Sequence, residues 1–498
     1  MLGSLPRGVR RSLVLVTACA FAVCIGQQFV NAQEKGELPV AGSVSQYGIT
    51  WTFEKPAPVG QFVNGDYYVV GPATVAGIDP APADGRNGSV LNVPMNGRLG
   101  FDSRDSWSRQ VPKANRFDPE QFRTPPIALK PGDCLLSSIG VDEVGTSARM
   151  LEPRWQVASP VKTVAALTCL AEPVPRDAFR PSYADREQRI YLARDLRRDL
   201  LPRLPLVGVT RGRPRDDVLF RVDLGRCDPT CLANWERVFQ RPWVDTTLDQ
   251  LMNPVENMPN YGREVARAAG IATLLLCSDF PPEEKESLLT NVVQVGIDLW
   301  GLVRAGYHGW PALGGHGIGR KWLIVFSGVM LGDEDMQSPE AEYPEVMFGE
   351  DMQTMYDTCW TGADVVYAGH LGTKDGKRRE GARGAYEHLH PSEWEARVGE
   401  SYRRCCTSIA WVAEALAIRV MHAEELWGHD AFLDYVDRWM TEDDTAYVAA
   451  IKEARSWDFS AEHLRQGRTW DPWVDATWAA YRTNLPPAPE SAKKEVEK

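Results

Sequence analysis

EEKESLLTNVVQVGIDLWGLV, residues 283–303, sets the expectation for the fold. Leu288, Val292, Val295, Leu299 and Leu302 recur at helical spacing on one face. Pro281 and Pro282 precede the stretch, and its acidic first turn suits a helix N-terminus. Toward the C-terminus, Lys321–Leu331 is apolar nearly all round, as a helix buried between neighbours would be. Toward the N-terminus, Arg263–Cys277 aligns Val265, Ala268, Ala269, Ala272 and Leu276. Glu187–Leu200 is a charged helix candidate; Tyr402–Ala423, with Cys405, Ile409, Val412, Leu416 and Val420 in register, His429–Met440 and Asp471–Tyr481 complete the series. So many helix pairs over residues 185–483 imply an (α/α) toroid or helical barrel as the catalytic domain. No repeat of solenoid length recurs.

Residues 45–172 have a different texture. Thr50-Trp51-Thr52-Phe53 alternates, Asp66-Tyr67-Tyr68-Val69-Val70 is β-branched and aromatic, and Ser159–Leu170 holds a last β-like run. Turn signals recur between them at Asn64-Gly65, Gly71-Pro72, Asp84-Gly85, Asn96-Gly97 and Pro131-Gly132. The expected architecture is therefore mainly α, a toroid preceded by a smaller β-rich, sandwich-like domain. The tail, 486–498, is Pro, Ala, Glu and Lys and is expected to be disordered.

Arg7, Arg10 and Arg11, the apolar run Ser12–Ile25 and the small residues of Val30-Asn31-Ala32 read as a cleavable signal peptide over 1–32, which implies a secreted or periplasmic protein. Val16-Thr17-Ala18-Cys19 offers a lipoprotein alternative. No later segment has the apolar length of a membrane span. Without the leader's three arginines, 52 basic side chains face 67 acidic ones, a balance of about −15. A nucleic-acid binder would show a basic footprint instead. An anionic substrate stays possible through a local arginine cluster. Eight cysteines remain beyond the leader; Cys227 and Cys231 are the best local pair, while Cys277 and Cys405 read as ordinary buried thiols.

The chemistry is expected in a few segments. Ala305–Arg320 places six glycines around two of the eight histidines between strong helices. Tyr307, His308, His316 and Arg320 beside the aromatic plate of Trp310 have the parts of a sugar-acid site. Tyr386-Glu-His-Leu-His390 follows a basic stretch, Lys374–Arg383, that would suit a polyanion or simply be solvated. His388 and His390 could begin a metal site, but no third ligand is apparent, and neither a metal nor a cofactor is expected. Tyr402 opens a helix beside Arg403 and Arg404, whose charge would favour its phenolate. Asn260 and Arg263 could hold a carboxylate, or Asn260 could be a helix cap. There is no HExxH, P-loop or GxSxG. Glu350 or Asp351 with Asp430 or Asp434 could form a glycosidase pair.

The segments Gly314-Gly-His-Gly-Ile-Gly-Arg320, Tyr386-Glu-His-Leu-His-Pro391 and Tyr402-Arg-Arg-Cys-Cys-Thr407, on a helical part of about 185–480, resemble exported (α/α) toroid polysaccharide lyases of the alginate and glucuronan type. The resemblance implies β-elimination from an acidic polysaccharide. Tyr402, or alternatively Tyr386, would be base or acid, and His316 and Arg320, supported by His308, would neutralise the uronate carboxylate. Trp310 would stack on a sugar, with Tyr307, Asn260, Arg263 and Arg404 binding nearby. The sequence departs from that family's Asn-His dipeptide, since Tyr307 precedes His308. A toroid glycoside hydrolase and a non-catalytic carbohydrate-binding protein remain the alternatives.

Overall fold

The computed structural model describes residues 37–105, 116–144, 159–207, 231–246, 252–259, 261–381, 383–395, 398–455, 468–469 and 471–489. The expected leader, Asn260, Cys227 and most of the expected tail lie outside the described residues.

Eight strands come first: β1 (Val40–Gln46), β2 (Ile49–Gln61), β3 (Tyr67–Val70), β4 (Ala73–Asp79), β5 (Ser89–Leu91), β6 (Ile127–Leu129), β7 (Cys134–Gly140) and β8 (Val161–Leu170). They form one sheet in the order β5-β7-β8-β3-β2-β4-β6, with β1 added on β2. The β3–β8 pairing is parallel and the others are antiparallel. The long strand β2 serves both halves, pairing through Thr50–Phe53 with β4 and through Val59–Gln61 with β3. Between these stretches lie Pro56 and Pro58, which lack the N–H a continuous ladder needs. The sheet curls there into a half-barrel.

Period-two alternation then gives the sheet two buried faces. Leu135, Ala165 and Leu167 join Trp51, Val59 and Val75 inside the curl. Their neighbours Leu136, Val164 and Ala166 point the other way, into the core shared with the helices. Sheet and helices are also joined by charge. Arg180, fully buried, donates to Asp66 before β3 and to Asp298, at 2.6 Å each. Leaving either carboxylate unpaired there would cost several kcal/mol, about 3–5.

The longer helices are α1 (Leu232–Phe239), α2 (Gly262–Leu276), α3 (Pro282–Arg304), α4 (Arg320–Leu331), α5 (Ser408–Val420), α6 (Asp430–Thr441), α7 (Thr445–Arg455) and α8 (Pro472–Tyr481). Asp298 lies on α3. Helices α2 and α5 cross closely because Gly270 leaves room for the backbone of Ala413 and Glu414.

This is not the expected toroid. The chain is 36% helical and 20% strand, with a curled sheet as a principal element. Two local departures explain part of the difference. Glu187–Leu200 forms only two single turns, Ala193–Asp195 and Arg198–Leu200. It is tied down residue by residue, Arg194 to Asp177, Arg198 to Glu286 and Arg189 to Asp333, and has no continuous apolar stripe to bury. The segment between α4 and α5 holds short turns and two-stranded pairings where a toroid would place further helix pairs. The expected helix Tyr402–Ala423 is itself interrupted: one turn at Glu400–Tyr402 leads into a π-helical turn at Arg403–Thr407 before α5 begins. Cys405 is not an ordinary thiol, because it is bridged to Cys406.

No described helix is long and apolar enough to cross a membrane.

Candidate active site

The glycine-rich loop between α3 and α4 is the scaffold. Its centre is Gly314, held at φ +56°, a left-handed conformation that glycine adopts without strain. The Gly314 N–H donates to the carbonyl of His370 at 2.8 Å, and the next N–H, of Gly315, donates to the Tyr261 hydroxyl at 3.1 Å. A side chain at Gly314 would collide with the rings of both Tyr402 and His370. The loop thus brings together residues from four separate stretches of the chain.

Tyr402 and His370 touch edge to face, with ring centroids 4.3 Å apart at 80°. Tyr261 and His316 make a similar contact at 4.7 Å and 87°. Tyr402 is half-buried, while Tyr261, His316 and His370 are buried. Beneath them Arg263 donates to the Cys405 carbonyl at 3.2 Å and pairs with Glu264 at 2.7 Å. Burial lowers the Arg263 pKa, an effect that Glu264 opposes.

Burial fixes the states of Tyr261 and His370. Burial pushes the Tyr261 hydroxyl well above the ordinary phenol range, so it stays a neutral hydrogen-bonding group. Burial, reinforced by the positive charges of Arg383 and His316, holds His370 down at about 4, so its imidazole is neutral at neutral pH. Arg383 is exposed, and its carbonyl accepts from the Leu371 N–H at 3.2 Å, next to His370. A neutral histidine can accept a proton, a tyrosine can give one, and an exposed guanidinium can meet an anion.

Of the expected site residues, Tyr402, His316 and Arg263 are gathered here. The others are not. Arg320 is fully buried at the start of α4, where it grips Asp245 through two bonds of 2.7 and 3.2 Å and donates to the carbonyls of His316 and Ile318 at 2.8 Å each. Its guanidinium supports the loop from below and is spent on that. Trp310 is fully buried with its indole N–H on the Asp245 carbonyl at 3.2 Å, so it presents no face to a sugar. Tyr307 is buried against Trp310 and His308. His308 is exposed, at the opposite end of the loop, where its carbonyl accepts from Met347 at 3.1 Å. Tyr386 donates to Glu400 at 2.7 Å, and burial raises its pKa far beyond a useful range. Arg404 is held by Glu400 and Asp444, and Arg403 by Glu400.

The carboxylates named for a glycosidase pair lie on two neighbouring elements, Gly349–Gln353 and α6. Glu350 is fully buried on the Gly319 N–H, and Asp351 is paired with Lys321 at 2.7 Å. Asp430 and Asp434 are exposed on α6, Asp434 accepting from Tyr356 at 2.7 Å. His390 bonds Ser392 at 2.8 Å, and among the described residues no group of three or more His, Cys, Asp or Glu could hold a metal ion.

Two members of the cluster escaped the sequence reading. His370 lies in Gly369-His370-Leu371-Gly372, a glycine-flanked histidine much like Gly315-His316-Gly317, and that likeness was the available signal. Tyr261 stood between the two residues singled out, Asn260 and Arg263, but nothing local marked its hydroxyl as the partner of a distant loop.

No family model, no curated protein and no solved structure matches the chain. The site is accordingly read from its own chemistry.

Proposed function

We propose that the chain is a polysaccharide lyase cleaving a uronic-acid-containing polymer, of the alginate or glucuronan type, by β-elimination. The observation that carries this reading is the contact between a half-exposed tyrosine and a neutral histidine, Tyr402 and His370, beside an exposed arginine charge. The toroid no longer supports it; the site alone does.

The reaction needs three things. The C5 proton of a uronate must be taken by a base, the charge that develops on the adjacent carboxylate must be stabilised, and the departing O4 must receive a proton. Arg383 would meet the carboxylate. With its charge answered by the substrate, it no longer depresses His370, which becomes a better base just when substrate is bound. His370 takes the C5 proton, the C5 electrons form the new C4–C5 double bond, and O4 leaves with the Tyr402 proton. The phenolate then regains a proton from the adjacent imidazolium, and the pair is reset. Gly314 lets the two rings approach, and Tyr261 holds the loop at Gly315.

The test is ultraviolet absorbance of an unsaturated uronate product, followed with purified protein on alginate, glucuronan, pectate and glycosaminoglycans. A rise on one polymer supports elimination and identifies the polymer. New reducing ends without the absorbance would replace it with hydrolysis, and binding without either would make the chain a carbohydrate-binding protein.

A further inference from the structure

Cys405 and Cys406 are joined by a disulfide between neighbours in sequence. The bridge sits inside the π-helical turn Arg403–Thr407, directly after Tyr402. Turns of this kind are rare and concentrate at functional sites. This one is knitted into the candidate site through its carbonyls. The Cys405 carbonyl accepts from Arg263 at 3.2 Å, and the Cys406 carbonyl abuts Gly315 in the loop. The Arg403 carbonyl accepts from the Ser408 N–H across the widened turn, and the Thr407 hydroxyl donates to the carbonyls of Tyr402 and Arg403 at 3.2 and 3.3 Å.

A bridge between adjacent residues closes a ring through the peptide that joins them, so the torsions on either side of that peptide cannot turn independently. The π turn is thereby fixed. Without the ring, the same residues could wind as α-helix, which accommodates one residue fewer in the turn. Everything before the turn would then rotate by about 100° about the helix axis, the angle per residue of an α-helix. Tyr402 would leave His370, while Arg263 and Gly315 would lose their contacts with the two cysteine carbonyls.

We propose that the Cys405–Cys406 disulfide is a positioning element of the site: it locks the π turn that stands Tyr402 against His370, and its two-electron reduction disengages the pair. Its catalytic consequence rests on the lyase reading; its structural one does not. Cys405 is half-buried and Cys406 buried, so an incoming thiolate reaches the Cys405 sulfur first. Attack there forms a mixed disulfide and releases Cys406 as thiolate. The second thiol of a dithiol reagent then displaces Cys405 and closes on itself. Two electrons and two protons end on the cysteines, and the reagent is oxidised to a cyclic disulfide.

The experiment uses the full protein and dithiothreitol. Tryptic cleavage after Arg404 and Arg419 yields one peptide carrying both cysteines. In the native protein that peptide is expected to resist alkylation until dithiothreitol is added. The His370 ring resonance, assigned by its disappearance in His370→Gln, carries the ring current of Tyr402. It is expected to shift toward that of a free histidine on reduction and to return on reoxidation. Turnover of the substrate found above should fall by about 10²-fold and recover with it, the scale of an ångström-sized misplacement. The Cys405→Ser/Cys406→Ser double variant should match the reduced protein; if it does not fold, reversible reduction of the native chain carries the test. Alkylation without reduction, an unmoved His370 resonance, or unchanged turnover after the bridge is open would each overturn the proposal. A resonance that moves in a protein that turns over no polymer supports the positioning role and removes the lyase reading alone.

Discussion

The rings of His370 and Tyr402 meet edge to face at 4.3 Å, although 32 residues separate the two in the chain. Their contact is made by the backbone of Gly314, which accepts no side chain because both rings lie against it.

Removing either member should stop the chemistry without unfolding the protein. Tyr402→Phe and His370→Gln are each expected to lower turnover by about 10²–10⁴-fold, the usual worth of a positioned acid or base. Tyr386→Phe, by contrast, deletes a buried hydrogen bond to Glu400 and should destabilise the protein by about 1–3 kcal/mol. Initial rates and denaturant midpoints measured on the three variants separate these effects. Full activity in both Tyr402→Phe and His370→Gln would remove the assignment.

Filling the loop should act on the site first. Gly314→Ala must adopt φ +56° and press on both rings. A stability loss of about 1–2 kcal/mol is expected from the backbone alone, together with a fall in turnover well beyond what that loss explains. An intact, fully active Gly314→Ala protein would show that the rings need not touch.

Arg383→Gln removes one of the charges that hold His370 down. The His370 pKa, read by NMR titration, should rise from about 4 toward its ordinary 6.5. KM for the uronate polymer should rise by roughly ten- to a hundredfold, the worth of a charged hydrogen bond. A KM that stays put would place the carboxylate elsewhere.

Stability should depend on pH through two opposed sets of groups. His370 is depressed from 6.5 to about 4, and His429 and His388 are lowered too, all chiefly by burial. The unfolded chain therefore binds protons that the folded one refuses, and stability falls as pH drops from about 6.5 toward 4. The buried carboxyls act in reverse. Burial raises Glu350 to about 7 and raises Glu414 as well, so their contribution is present at low pH and is lost as pH climbs above the ordinary carboxyl range, for Glu350 from 4.5 through 7. Glu414→Gln should recover about 1–3 kcal/mol at alkaline pH and little at pH below the ordinary carboxyl range. Melting curves across pH check both limbs; a Glu414→Gln protein that is weakened at high pH would contradict the burial argument.

Arg320→Ala should unfold or severely weaken the protein, by about 3–5 kcal/mol, because Asp245 would be left charged and unpaired in the interior. A stable Arg320→Ala protein whose only defect is KM would return Arg320 to the substrate.

The sequence by itself determined the local elements. Apolar residues three and four apart marked α2 and α3, since a helix buries whichever stripe is apolar, and all-round apolarity marked α4 as a helix between neighbours. Alternation marked the strands of the first part in the same way. The glycines at 314 and 315 announced a close approach and named His316 among the candidates, while Tyr402 was named by the arginines beside it. Pattern of this kind could not set how the elements are assembled, because a helix stripe does not say what covers it. The toroid was inferred from helix count alone; the curl of the sheet depends on β2 pairing in two directions, a matter of long-range register. The roles of individual residues were decided at the same level. Arg320 and Arg383 are chemically identical, but one meets Asp245 in the interior and the other stays exposed beside His370. Trp310 has the ring a sugar would want and is buried on Asp245. Tyr386 and Tyr402 carry the same phenol, and only the tertiary structure places one against a carboxylate and the other against a histidine. A side chain's chemistry is written in the sequence, whereas its partner and its access to water are set by contacts between residues far apart in the chain.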